Sequence, residues 1–286
     1  MSVFLAYDGS VHGDWTARYA VRFAASTSEK SLTVLYVENV GVPTAALDTK
    51  LDNIRTISEQ AGVTTSCEIL PMRHGVFGGL RARVPETSDT MLVCGTRAKS
   101  GRRGFLSGTI SHQFLSLRRF AVTALRIVQP GHLGIARRVL LPVSGSPHGI
   151  SPALPILRLL AADADHIRLL RVMQVSALKF RRMDIGSAGA LRHEGEVFLK
   201  NLALQLRQHI GAFPIELDLG VRVSDGWAKE VVIDAGHHHT DLICIEEPKA
   251  SLVESFRWGD PVEKILRDTP SDVAIYRGPQ GDGLCE

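Results

Sequence analysis

Asp8 closes the apolar run Val3-Phe4-Leu5-Ala6-Tyr7 and is followed by Gly9-Ser10. A second polar stretch follows Met91-Leu92-Val93-Cys94. It reads Gly95-Thr96-Arg97-Ala98-Lys99-Ser100-Gly101-Arg102-Arg103-Gly104-Phe105-Leu106-Ser107-Gly108-Thr109-Ile110-Ser111. Glycines let a backbone approach a ligand closely, and Gly108-Thr109 at a helix start offers free N–H groups, a hydroxyl and a dipole that favours negative charge. Those are the parts of a phosphate cradle, without the lysine of a Walker motif. The plainer alternative is a capped loop with no ligand, because a glycine-rich loop alone is weak evidence.

For these residues to meet, elements far apart in sequence must converge. Val3 to Tyr7 and Leu32 to Val37 are short apolar runs, with Ala17, Ala20, Val21 and Ala24 at helical spacing between them. Leu47, Leu51, Ile54 and Ala61 again follow helical spacing, Thr64 to Ile69 is strand-like, and Met91 to Cys94 reads as a buried strand. A last helix from about Gly108 to Leu117 leads into a fifth strand, Val122 to Val128. Alternation of this kind predicts an α/β fold with a parallel sheet and helices on both faces. Ligands bind such sheets beyond the carboxyl ends of the strands, where strand order reverses. Asp8, Val37 and the glycine-rich stretch all arrive there.

The pattern then recurs. Val139-Leu140-Leu141-Pro142-Val143-Ser144-Gly145-Ser146-Pro147-His148-Gly149 echoes the N-terminus, and Asp272-Val273-Ala274-Ile275-Tyr276-Arg277 echoes Ala121-Val122-Thr123-Ala124-Leu125-Arg126. A repeat this long means two domains. We expect two tandem open five-stranded parallel sheets, with domains at 1–129 and 138–278, a proline- and glycine-punctuated linker at 130–137 and a tail at 279–286. Predicted strands of the second half are Val139 to Val143, Ile167 to Val172, Ile215 to Leu219, Leu242 to Ile245 and Val273 to Tyr276. The opening echo is offset by 136 residues and the closing one by 151, which places about 15 extra residues in the Phe180 to Lys200 region, as a loop and a lengthened second helix.

The chain resembles a tandem universal stress protein over nearly its whole length. Nucleotide-binding members of that family carry Gly, two residues, Gly, nine residues, then Gly and Ser or Thr. Gly95, Gly108 and Thr109 match this pattern, while Ala98 replaces the second glycine. The resemblance implies a Rossmann-like fold of the adenine nucleotide α-hydrolase type that holds ATP, or AMP or ADP, with Mg2+ as a companion ion. It gives Asp8 the adenosine part, Val37 a backbone contact to adenine, and Ile110 and Ser111 an extension of the phosphate-binding helix start. Arg97, with Lys99, Arg102 and Arg103, forms a basic loop near the nucleotide. A Cβ at Ala98 implies weakened rather than lost binding. In the second half Ser144 replaces Asp8, Glu246 and Lys249 replace the first two glycines, and Asp260 follows Gly259. Carboxylates at a phosphate site repel the ligand, so this half is expected to bind no nucleotide.

Glu246, Glu247 and Asp260 could hold a cation, but clustered loop carboxylates are more often solvated. His237-His238-His239 with Asp241 reads as a solvated helix end rather than a metal site, because adjacent residues on a helix point apart. No nucleophile elbow or catalytic triad is present, so we expect no enzyme, with slow ATP hydrolysis left open. A net charge of +3 and 22% charged residues give no ground for nucleic-acid binding. Four irregularly spaced cysteines suggest a reducing compartment. The absence of a basic leader and of long apolar runs predicts a cytoplasmic protein away from membranes. The expected partners are an adenine nucleotide and an unidentified protein. The alternative function is a ligand-free scaffold whose last strands pair as an internal pseudo-dimer, with a homodimer also open. An adenylating enzyme ranks last, since neither Ser-Gly-Gly-x-Asp-Ser nor His-x-Gly-His occurs.

Overall fold

The computed structural model describes residues 1–38, 44–72, 74–96, 104–106, 108–144, 150–247 and 255–278, with backbone alone at 44 and 255–260. The first half runs β1 (Ser2–Tyr7), α1 (Val11–Ala25), β2 (Ser31–Val37), α2 (Thr44–Gln60), β3 (Thr64–Leu70), α3 (Gly75–Arg83), β4 (Thr90–Gly95), α4 (Ile110–Leu117) and β5 (Ala121–Arg126). The second half runs β6 (Arg138–Val143), α5 (Leu154–Leu160), β7 (His166–Gln174), α6 (Ala177–Arg182), α7 (Ile185–Ile210), β8 (Glu216–Ser224), α8 (Trp227–His237), β9 (Leu242–Glu246), α9 (Ser255–Asp268) and β10 (Asp272–Arg277).

All ten strands belong to one sheet, ordered β3-β2-β1-β4-β5-β10-β9-β6-β7-β8. Each half is the expected five-stranded parallel array, and the halves meet edge to edge where β10 runs antiparallel to β5, from Val273 opposite Arg126 to Arg277 opposite Val122. This contact gives both last strands a full set of ladder partners, so neither half leaves that edge open. The central strands are mostly apolar on both faces because helices cover both sides of the sheet. One face is packed by α1, α2, α5 and α7, through residues such as Ala17, Leu51, Leu157 and Leu202. The other is packed by α3, α4, α8 and α9, through Leu80, Phe114, Val231 and Ile265.

The two halves differ where their sequences differ. The extra residues form α6 and a 26-residue α7, against 17 residues in α2. The opening echo, by contrast, is followed by unequal helices: α1 has 15 residues and α5 only seven, after a short 3-10 turn at Ser151–Ala153. Pro152 and Pro155 lack the N–H groups an upstream extension of α5 would use, and Pro155 sits in the first turn of α5, where no intrahelical N–H partner is needed.

Candidate functional site

Strand order reverses between β1 and β4 in the first half, because β1 leads outward to β2 and β3 while β4 lies on its other side. The crevice there is built by three turns. At the end of β1, Asp8 is exposed, and its Oδ1 accepts from the Ser10 N–H at 3.0 Å and the Ser10 hydroxyl at 2.6 Å. The same Ser10 Oγ caps α1 by accepting from the Gly13 N–H at 3.0 Å. Position 13 must be glycine for this turn to close: a Cβ there would lie 2.6 Å from Asp8 Oδ1 and 3.0 Å from the Tyr7 ring. Behind it the Tyr7 hydroxyl donates to Asp14, which also pairs with Lys50. Burial, then the Asp14 hydrogen bond, raises the Tyr7 pKa, so that hydroxyl stays protonated.

The second turn is the end of β4. Gly95 sits against α1, where a Cβ would come within 3.0 Å of Thr16 Oγ1. Its carbonyl accepts from the Ser111 hydroxyl at 2.7 Å, tying the start of α4 to the strand end. Cys94 is wholly buried beside it, and burial pushes its thiol up to about 11, which removes it as a nucleophile at neutral pH.

The third turn carries the start of α4. Gly108 has φ +69°, the left-handed region that glycine enters without strain. Thr109 is the N-cap: its Oγ1 accepts from the His112 N–H at 3.2 Å and donates to the Leu106 carbonyl at 2.6 Å. The hydroxyls of Thr109 and Ser111 are therefore engaged within the protein, and the group that α4 presents toward the crevice is its first turn of backbone, beginning at half-buried Ile110. Val37 is the last residue of β2, one position past the β1 ladder, and its side chain is buried on the α3–α4 face. Arg97 and Ala98 lie outside the described residues, as do Lys99, Arg102 and Arg103.

Among the described residues, the second half does not repeat this geometry. Ser144 is exposed at the end of β6, and Glu246 ends β9. The offset of 151 residues maps Ile110, the first residue of α4, onto Pro261, yet α9 begins at Ser255. Backbone equivalent to the Gly108-Thr109 turn is thus continuous helix, and Pro261 lies inside it. Lys249 lies outside the described residues. Glu247 is mostly buried; burial raises its pKa against the pull of Arg277, His112 and Arg118. Among the described residues, no group of three or more His, Cys, Asp or Glu side chains is arranged to hold a metal, His237-His238-His239 included.

Sequence reading had not assigned Gly13, Thr16, Thr96 or Glu263 to the site. Gly13 was visible in the echoed His-Gly pair, whereas Glu263 comes from α9 of the other half, and no local pattern marks it. Its carboxylate accepts from the Phe105 N–H at 2.6 Å and the Leu106 N–H at 2.8 Å, within the glycine-rich stretch.

Solved structures share this architecture. A universal stress protein from Archaeoglobus fulgidus DSM 4304 aligns over 99% of this chain and 97% of its own, with a TM-score of 0.61 and 17% identity. A putative universal stress protein from Pseudomonas aeruginosa UCBPP-PA14 aligns over 96% and 92%, at TM-score 0.57 and 11% identity. The cytoplasmic domain of a prokaryotic cation chloride cotransporter aligns over 97% and 95%, at TM-score 0.59 and 14% identity. No family model matches the chain, and no curated protein matches it in sequence. The fold is therefore that of the universal stress proteins, carried twice along one chain. Among the described residues no helix is long and apolar enough to cross a membrane.

Proposed function

We propose that this protein binds an adenine nucleotide, ATP in the first instance, in the first half alone, and that it acts in stress response or signalling rather than as an enzyme. The observation that carries the reading is the asymmetry between the start of α4 in the first half and that of its counterpart α9 in the second. In the first half, Gly108 turns through φ +69° and Thr109 caps α4, leaving first-turn backbone N–H groups at the switch-point crevice beside Asp8. In the second, the equivalent backbone is already helical, and Glu246 and Asp260 stand where Gly95 and Thr109 stand in the first. Helix N-termini at such crevices are anion sites by virtue of their oriented N–H groups and dipole. Asp8 would take a ribose hydroxyl, the backbone of Val37 at the end of β2 the adenine edge, and the Gly95 and Gly108 turns the phosphates. Mg2+ bound with the phosphates would offset part of their charge.

A second reading is favoured by β5–β10 pairing: a scaffold in which the two halves act as one platform. The same fold occurs in the transporter domain named above, so fold does not choose between the readings. Titration of a fluorescent ATP analogue into the wild-type chain and Gly108→Val does. We expect saturable binding to the wild type and a loss of about tenfold or more in the variant, since a β-branched residue is strained at positive φ and its bulk fills the phosphate approach. Equal affinity of the two would remove the cradle from the account.

A further inference from the structure

Gly104, Phe105 and Leu106 are fixed from both halves of the molecule. From the first half, the Thr96 hydroxyl donates to the Phe105 carbonyl and the Thr109 hydroxyl to the Leu106 carbonyl. From the second half, Glu263 on α9 spans the two amides, Oε2 to Phe105 N–H at 2.6 Å and Oε1 to Leu106 N–H at 2.8 Å. Gly104 makes the approach possible, because a Cβ there would lie 2.8 Å from Glu263 Oε1. The Arg126 guanidinium stacks 4.8 Å from the centroid of the Phe105 ring. We propose that Glu263 is a positioning residue that clamps the phosphate loop of the first half, so that the second half sets the affinity of a site it does not contain. The inference rests on the nucleotide reading of that site.

The chemistry of the two equivalent positions supports it. Glu263 is related to His112 of α4 by the same 151-residue offset that relates Arg277 to Arg126. Across the junction, His112 lies close enough to Glu247 to favour its charged form. The same helix position thus carries a carboxylate where it meets two backbone N–H donors and an imidazole in the other half. Only the carboxylate accepts from two amides at once, and hydrogen bonds to an ionised acceptor are about twice as strong as neutral ones. With their carbonyls also engaged, Phe105 and Leu106 are held at both their N–H and C=O groups. A preorganised loop binds its ligand without losing that freedom on binding.

Hydrogen exchange on the full chain, combined with ATP titration, tests this. Glu263→Ala should speed exchange at the Phe105 and Leu106 amides by about tenfold or more, with β5 and β10 amides unchanged, and weaken ATP binding by a similar factor. Glu263→Gln, which keeps one acceptor and turns a donor toward the other amide, should fall between. Gly104→Ala should act like Glu263→Ala while leaving the charge in place, and it serves as the second variant if removing the carboxylate disturbs folding. Unchanged exchange in both variants, or exchange raised equally through β5 and β10, overturns the clamp. Raised local exchange with unaltered affinity overturns its role in binding. A wild-type chain that binds no ATP overturns both the nucleotide reading and the affinity claim, while the exchange rates still decide whether the clamp exists.

Discussion

Gly13 shows how far the site depends on single atoms. Ser10 uses one hydroxyl to hold Asp8 and to cap α1, and this sharing brings the first turn of α1 so close to the strand end that a methyl group would strike Asp8 Oδ1 at 2.6 Å. Gly13→Ala should therefore displace Asp8 as well as crowd the Tyr7 ring. We expect ATP affinity to fall about tenfold and stability to fall by about 1–3 kcal/mol, as for other overpacked positions. Analogue titration and urea unfolding measure the two effects. A variant that loses stability but keeps its affinity would show that Asp8 does not touch the ligand.

At the level of elements, most strands were legible because they are short apolar runs with no competing helical spacing, and the closing echo marked β5 and β10 as equivalent. The first-half site was legible because Asp8, Gly95 and Gly108-Thr109 end or begin elements that the alternation itself places at one crevice. The upstream extension of α9 was not: the 151-residue offset from the start of α4 points to Pro261, but the helix begins at Ser255. Glu263 was illegible for a different reason, since its contact exists only once two edge strands have paired. β10 also carries a titration effect. Asp272 is fully buried and accepts from the Val128 N–H at 2.7 Å, the Gln129 N–H at 2.8 Å and the Tyr19 hydroxyl at 2.7 Å. Burial raises its pKa above the ordinary 3.8, against the pull of those hydrogen bonds. The folded chain therefore keeps this proton to higher pH than the unfolded chain. It binds more protons between the two pKa values, so this group's contribution to stability falls as pH rises through that window. Asp272→Asn, which can still accept from both amides, should flatten the slope of stability against pH above about pH 4. Urea unfolding at several pH values measures the slope, and an unchanged slope would mean that Asp272 titrates as in the unfolded chain.

Across the whole molecule, fusion has let the halves diverge without separating. Edge pairing of β5 with β10, the hydrogen bond from Tyr19 to Asp272, that from Arg22 Nε to Asp163 at 2.8 Å and that from Arg277 to the Leu115 carbonyl at 2.6 Å all cross the junction. One half retains the open turn at the start of its fourth helix, and the other has replaced it with helix and acidic residues. Such a chain is expected to hold one nucleotide, in the first half. Titration calorimetry with ATP and Mg2+, on protein first checked for co-purified nucleotide, tests it through stoichiometry. We expect one site per chain, abolished by Asp8→Ala and unaffected by Ser144→Ala. Two sites, no site in a nucleotide-free preparation, or equal losses from both substitutions would contradict it.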